Sequence, residues 1–129
     1  MANRYADWLR QAEADLRHAR NALEDGDHEW ACFAAQQAAE KAVKAVVLAQ
    51  GGEPWGHSVT ILLGALAERI AASSDLVDAG KRLDKHYIPT RYPNGFDAGA
   101  PTDYYTRAEA EAAVKDAATI LEFCRGAVG

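Results

Sequence analysis

The sequence predicts an all-α protein, an up-and-down bundle of four or five helices in one domain over residues 1–129. Three observations support this prediction. Apolar residues recur at steps of three and four through most of the chain, as on the buried face of an amphipathic helix. No useful length of sequence alternates with the period of two that indicates a strand. The 129 residues, 49% of them hydrophobic and 26% charged, are enough for one compact core.

The first two helices are predicted from apolar stripes and end signals. The first spans residues 4–24, and Gly26 can end it with a left-handed cap. Asp27 can begin the second helix, which runs to about Gln50. Alanines distributed around the second helix would allow neighbours to approach on several sides, so it is predicted to be central; they are Ala31, Ala34, Ala35, Ala38, Ala39, Ala42, Ala45 and Ala49.

The second half of the chain is predicted to hold two more helices, a loop and a final helix. The third helix is expected over residues 57–72, and Ser73 or Ser74 can cap a shorter fourth helix that runs to about Lys85. Three prolines and two glycines within residues 87–105 exclude a continuous helix there, and a loop this long in a small domain is often functional. The last helix begins at Thr106, which can form a capping box with Glu109.

The composition excludes several classes of protein. No apolar run approaches the roughly 20 residues that span a bilayer, and no signal peptide begins the chain, so we expect a soluble, cytoplasmic protein without membrane attachment. Cys32 and Cys124 lie outside any C-x-x-C pair and are expected to be buried and inert. The four histidines lack metal-ligand spacing, so we expect no metal site and no cofactor.

The net charge of −5 has the wrong sign for a protein that coats nucleic acid through bulk electrostatics. One stretch departs from this average, because residues 81–91 hold one acid, Asp84, against four bases: Lys81, Arg82, Lys85 and Arg91. A local anion site is therefore compatible with the negative net charge. His57 and Ser58 at a helix start would add a second anion-binding feature, since helix N-termini attract negative charge.

Four segments resemble the HEPN (higher eukaryotes and prokaryotes nucleotide-binding) domain. They are AAQQAAEKAVKA at residues 34–45, GHS at 56–58, HYIPTRYP at 86–93 and YYTR at 104–107. The resemblance covers nearly the whole chain in the family's order. It implies an all-α up-and-down bundle, usually a homodimer, that is involved with nucleotides or RNA. It also implies a module of the toxin–antitoxin kind, often encoded beside a minimal nucleotidyltransferase as partner.

One motif of the family's ribonucleases is missing. Those enzymes carry an arginine, then four to six residues, then a histidine, and no arginine of this chain has that spacing. Arg82 and His86, with three residues between them, come nearest. A shift of one position turns a helical neighbour by about 100°, so the sequence argues against an enzyme. A metal-independent ribonuclease that uses Arg82 and His86 is the alternative function, with His86 as general acid or base.

We therefore predict a nucleotide- or phosphate-binding protein that forms the accessory half of a nucleotidyltransferase/HEPN pair. Arg91 is expected to hold a phosphate with its planar fork, and Tyr87 and Tyr92 to stack on a base. The other candidate ligand-binding residues would add charge or face the same cleft; they are Lys81, Arg82, Lys85, His57 and Ser58. Alternatively, Arg91 pairs with a helix carboxylate such as Glu40 and only holds the loop. A non-catalytic oligomerisation or adaptor module is a third hypothesis.

Exposed apolar groups predict a homodimer. Trp8, Trp30 and Trp55, together with the loop aromatics, exceed what one thin core should bury, and the alanine-rich faces of the second helix add further apolar surface. A two-fold contact between copies would cover such groups. It could also bring two copies of residues 81–91 into one shared cationic cleft.

Overall fold

A computed structural model describes residues 3–128, and all regular structure in that range is helical. The six α-helices are α1 (Tyr5–Asp25), α2 (His28–Ala49), α3 (Val59–Gly64), α4 (Ser74–Asp84), α5 (Pro101–Tyr104) and α6 (Arg107–Val128). Single turns of 3-10 helix lie at Glu68–Ile70 and Pro93–Gly95. The all-α prediction is confirmed. There are six α-helices instead of four or five because the long loop contains the four-residue α5, which begins at a proline.

Helix α2 lies at the centre of the bundle and contacts α1, α3, α4, α5 and α6. Alanine side chains are short, so these neighbours can approach its axis closely. All but Ala49 of its eight alanines are buried: Ala31, Ala34, Ala35, Ala38, Ala39, Ala42 and Ala45. The protein's own helices therefore cover the alanine faces, and these faces cannot serve as the dimer surface that the sequence argument assumed.

The three largest fully buried side chains lie on α4 and α6. Leu83 of α4 and Ile120 and Leu121 of α6 pack with Val43 and Val46 of α2 in one hydrophobic cluster. Burial of a leucine or isoleucine contributes about 1.5–3 kcal/mol, so this cluster holds the long helices together. None of the helices within residues 3–128 is long and apolar enough to cross a membrane.

The third helix is shorter than predicted. It ends at Gly64, whereas the apolar stripe predicted a helix to about Ala72. Leu66 is buried and Ile70 packs against the core, but they reach it from a bend and from a 3-10 turn. The stripe was identified correctly. Its continuity as one helix was wrong, because apolar spacing records which side chains are buried and not the backbone between them.

Local end signals match the structure at most helix boundaries. Gly26 ends α1 in a left-handed conformation with φ 83°, where a residue with a Cβ would be strained. Thr106 and Glu109 form the predicted capping box at α6, with both backbone-to-side-chain hydrogen bonds at 3.1 Å. Asp27 occupies the position before α2, but its side chain makes no capping hydrogen bond.

A single carboxylate, that of Asp84 at the end of α4, binds the first turn of α3. Its Oδ1 accepts a hydrogen bond from Val59 N at 2.8 Å. Its Oδ2 accepts from Thr60 N at 3.0 Å, from the Thr60 hydroxyl at 2.7 Å and from the Ser58 hydroxyl at 3.0 Å. The first turn of a helix leaves backbone N–H groups without partners and carries positive partial charge. Asp84 accepts from two of these N–H groups and places a negative charge beside the positive one. It also joins α3 to α4.

Replacement of Asp84 by alanine should lower the free energy of unfolding by about 2–4 kcal/mol, because two backbone N–H groups and two hydroxyls lose their acceptor. Urea denaturation followed by circular dichroism measures this loss. Asp78→Ala, an exposed position on the same helix, is the matched control and should change stability by no more than about 0.5 kcal/mol. Equal effects of the two substitutions would contradict the junction role of Asp84.

Candidate functional site

The guanidinium of Arg91 lies within a group of aromatic rings. Its central carbon is 4.3 Å from the centroid of the Phe33 ring, and 4.9 Å and 5.2 Å from those of Tyr87 and Tyr92. These are cation–π contacts. Nε and Nη2 of Arg91 also donate to the Tyr87 carbonyl oxygen at 3.0 Å and 2.7 Å. The side chain is therefore held in one orientation, and it attaches the loop after α4 to α2 through Phe33.

These contacts leave part of the guanidinium available. A guanidinium has five N–H donors, and the two hydrogen bonds to Tyr87 engage two of them. Nη1 of Arg91 makes no hydrogen bond with residues 3–128, so it can meet an oxyanion. The alternative in which Arg91 pairs with Glu40 is wrong, because Glu40 binds Lys44 and His57 instead.

His57 lies beside the same rings. Its imidazole stacks on Tyr87 with the ring centroids 4.8 Å apart and an interplanar angle of 18°. Its Nδ1 lies 3.2 Å and 3.4 Å from the two carboxylate oxygens of Glu40. Glu40 is only 3% exposed, and it also contacts Lys44 Nζ at 3.2 Å and accepts from Gln37 Nε2 at 3.3 Å. A buried carboxylate thus orients the exposed imidazole.

A buried polar stripe on α2 supports this arrangement, and the sequence analysis did not assign it to the site. Gln36, Glu40 and Lys44 follow one another at intervals of four residues, and all three are buried. Gln36 Nε2 donates to the His57 carbonyl oxygen at 2.8 Å. The available signal was this i, i+4 spacing of long polar side chains in a helix otherwise rich in alanine and valine. Nothing in the sequence indicated Phe33.

Ser58 does not offer an anion site. Its hydroxyl donates to Asp84 and accepts from Ile61 N at 3.1 Å. The N-terminus of α3, which was expected to attract a phosphate, already binds the carboxylate of Asp84. A phosphate would have to displace this internal anion.

The basic residues of α4 do not join the Arg91 group in one cavity. Arg82 and Lys85 line a separate cavity of about 200 Å³ with His86, Glu109 and Asp116. Arg82 donates to both carboxylate oxygens of Asp116 at 2.8 Å and 3.0 Å, and this hydrogen bonding raises the pKa of its guanidinium.

Lys81 is exposed and forms no ion pair with residues 3–128. The structure therefore brings together Arg91, Tyr87, Tyr92, His57 and Ser58. Lys81, Arg82 and Lys85 lie apart from that group on α4 and its end.

Burial shifts the pKa of His86 and of both cysteines. Burial lowers the pKa of His86, although Glu109 and Asp116 act in the opposite direction, and its Nδ1 has no hydrogen-bond partner within residues 3–128. Burial raises the pKa of the Cys32 and Cys124 thiols to about 12, so neither forms a thiolate nucleophile near neutral pH. No cluster of metal-ligating side chains occurs in the described range.

Comparisons with known proteins match this architecture. A sequence model of the HEPN domain matches residues 5–127. TT1696 from Thermus thermophilus is 52% identical and superposes with a TM-score of 0.95 over 98% of this chain and 99% of that one. ST0689, an archaeal HEPN homologue, is 40% identical with a TM-score of 0.84 over 100% of both chains. An HEPN domain protein from Thermotoga maritima is 41% identical with a TM-score of 0.76 over 93% of this chain and 95% of that one.

A protein of Methanocaldococcus jannaschii is also similar in sequence. It bears the name "Putative toxin MJ1304" and is 29% identical over 124 residues, which cover 89% of this chain and 82% of that protein.

His86→Gln should reduce the loss of stability in mild acid. Burial lowers the pKa of His86 below its ordinary value of 6.5, so the unfolded chain binds the proton more readily than the folded one. The stabilising contribution of neutral His86 is therefore fully present above pH 6.5 and is lost as the pH falls from 6.5 through the lower folded pKa. Melting temperatures between pH 7.5 and pH 5 measure it. His28→Gln is the control, and an unchanged acid-induced loss in His86→Gln would assign that loss to other groups.

Proposed function

The chain belongs to the HEPN domain family, and from that premise we propose that it binds the phosphate of a nucleotide at Arg91. The single observation behind this proposal is the state of the Arg91 guanidinium, which is held by three rings and one carbonyl oxygen while Nη1 remains unengaged within residues 3–128. An arginine oriented in advance loses little conformational entropy when it binds an oxyanion. A planar guanidinium also matches two phosphate oxygens at once.

The rings around Arg91 supply the second element of a nucleotide site. Tyr92 is 48% exposed, so part of this residue is accessible to a ligand. Trp30 is equally exposed and meets Phe33 edge-to-face, with the centroids 6.2 Å apart. Stacking of a base on an aromatic side chain contributes about 1–3 kcal/mol. We assign the phosphate to Arg91 and the base to Tyr92 or Trp30.

We further propose that the protein is one half of a two-component, toxin–antitoxin-like module with a nucleotidyltransferase as the other half. The similarity to the Methanocaldococcus jannaschii protein whose name describes a toxin supports the first part. The family resemblance supports the second part. Such an enzyme binds a nucleotide, and the phosphate site proposed at Arg91 would recognise the same phosphate group. Co-purification of the two proteins from cells that express the neighbouring gene tests the pair.

Association of two copies is part of the same proposal. Trp55 is 77% exposed and Ile61 is 72% exposed, and both line a cavity of about 170 Å³ with Pro54 and Leu62. A tryptophan and an isoleucine this exposed at one place are typical of an interface. This surface replaces the alanine-rich faces of α2 as the support for a homodimer.

Arg91→Ala should weaken the binding of adenosine 5′-monophosphate at least about tenfold, because a charge-assisted pair of hydrogen bonds is lost. Arg91→Lys should fall between wild type and alanine, because an ammonium keeps the charge but not the fork. Isothermal titration calorimetry measures the affinities. Arg125→Ala, an exposed arginine on α6, is the control. Unchanged affinity with a lowered melting temperature in Arg91→Ala would reduce Arg91 to a residue that holds the loop.

Light scattering at micromolar concentration should give a mass of about 28 kDa, twice the chain mass of 13.9 kDa. Trp55→Arg should shift the protein toward the monomer mass, because burial of an unpaired guanidinium in an apolar contact is unfavourable. Thr119→Arg, an exposed site on α6, should leave the mass unchanged. A wild-type mass that stays at 13.9 kDa as the protein is concentrated would refute the homodimer.

A further inference from the structure

The residues around Tyr87 differ in the hydrogen bonds that they can offer. Arg91, 4.9 Å from the centroid of the Tyr87 ring, offers only donors. His57, 4.8 Å from the same centroid, borders a small cavity of about 140 Å³ that Ser58, Asp84 and Tyr87 also line. Whole-ligand sites measure roughly 300–1,000 Å³, so this cavity can hold only one part of a ligand whose other part lies at Arg91.

His57, which lines this cavity, keeps one unengaged acceptor. The carboxylate of Glu40 already accepts from Lys44 and Gln37, and an ionised carboxylate has no proton to donate. Nδ1 of His57, 3.2 Å from Glu40 Oε1, therefore carries the ring's proton in the neutral imidazole. Nε2 is left with a lone pair. It makes no hydrogen bond with residues 3–128, and the side chain is 59% exposed.

Of the other side chains that line the cavity, Asp84 and Ser58 are engaged, while the Tyr87 hydroxyl makes no hydrogen bond with residues 3–128. Asp84 accepts four hydrogen bonds at 2.7–3.0 Å from the start of α3, which is about the number of lone pairs that a carboxylate has. The Ser58 hydroxyl directs its proton to Asp84. The side chains that line the cavity thus combine a negative charge, that of Asp84, with two unengaged acceptors, His57 Nε2 and the Tyr87 hydroxyl oxygen. This combination disfavours a phosphate and favours a ligand O–H.

We infer that His57, positioned by Glu40, accepts a hydrogen bond from a ribose hydroxyl and makes the site selective for ribonucleotides over deoxyribonucleotides. This inference rests on the proposed phosphate contact at Arg91. A nucleotide carries an anionic group and hydroxyl groups on one sugar, which matches a donor and an acceptor that both lie against the Tyr87 ring. Glu40 is a positioning residue, since it acts only through the imidazole. A carboxylate that fixes the tautomer of a histidine is a common arrangement in proteins.

The test compares three ligands by calorimetry: adenosine 5′-monophosphate and its 2′-deoxy and 3′-deoxy forms. The wild type should bind the ribonucleotide about three- to tenfold more tightly than at least one deoxy form, the effect of one hydrogen bond. His57→Phe keeps a ring on Tyr87 but removes the acceptor, so it should bind all three ligands alike. His28→Phe, in the first turn of α2, is the matched control and should retain the wild-type preference.

A second measurement addresses Glu40. Nitrogen-15 NMR of the imidazole should show the proton on Nδ1 of His57 in the wild type. Glu40→Leu combined with Lys44→Met removes both buried charges together, so that no ammonium is left unpaired. This variant should move the proton to Nε2 and abolish the preference between ligands while Arg91-dependent binding persists. If Glu40 has only a structural role, the double variant should change the free energy of unfolding but leave the proton on Nδ1 of His57.

The outcomes separate this inference from the proposed function. Equal affinities of the wild type for the three ligands, a preference that survives in His57→Phe, or a wild-type proton on Nε2 would each overturn the role of His57 and leave Arg91 untouched. No binding of the ribonucleotide by the wild type would overturn the proposed function and this inference with it.

Discussion

The carboxylate of Asp84 joins the start of α3 to the end of α4, and the site depends on that junction. His57 and Ser58 lie immediately before α3, and Tyr87 follows α4 by a few residues. Because Asp84 holds the two helix ends together with four hydrogen bonds, the His57 and Tyr87 rings meet at 4.8 Å. Arg91 is in turn anchored on the Tyr87 carbonyl and ring. This capping interaction therefore helps to place His57 and Tyr87 beside each other, whereas Phe33 is placed by α2.

The buried polar stripe of α2, formed by Gln36, Glu40 and Lys44, supplies the polar contacts that hold His57. Burial of an ion pair such as Glu40 and Lys44 is expensive and stabilises a fold weakly at best. Here Glu40 has three partners, His57, Lys44 and Gln37, which offset its loss of hydration. One of these partners, His57, reaches solvent. The stripe thus connects the interior of the helical bundle to an exposed imidazole, and its charges act at the surface through that ring.

The helices were predictable where local interactions decide them. The apolar stripes of α1, α2, α4 and α6, the left-handed Gly26 and the capping box at Thr106 all involve residues within about one helical turn of one another, so the sequence displays them directly. The end of α3 was not predictable in this way. Leu66 and Ile70 continue the apolar spacing, yet their backbone leaves the helix after Gly64, and side-chain burial alone does not reveal the path of the chain.

The sequence by itself determined the all-α fold and the family resemblance, because residue type and spacing carry that information, and it pointed to Arg91, Tyr87, Tyr92 and His57 as candidate site residues. Only the tertiary structure decided what these side chains contact. Ser58 turned out to be bound to a carboxylate 26 residues away, and Arg91 to rings and a carbonyl oxygen instead of Glu40. A charged or polar side chain takes the partner that packing brings within about 3 Å, and packing joins segments whose distance along the chain gives no indication of their contact.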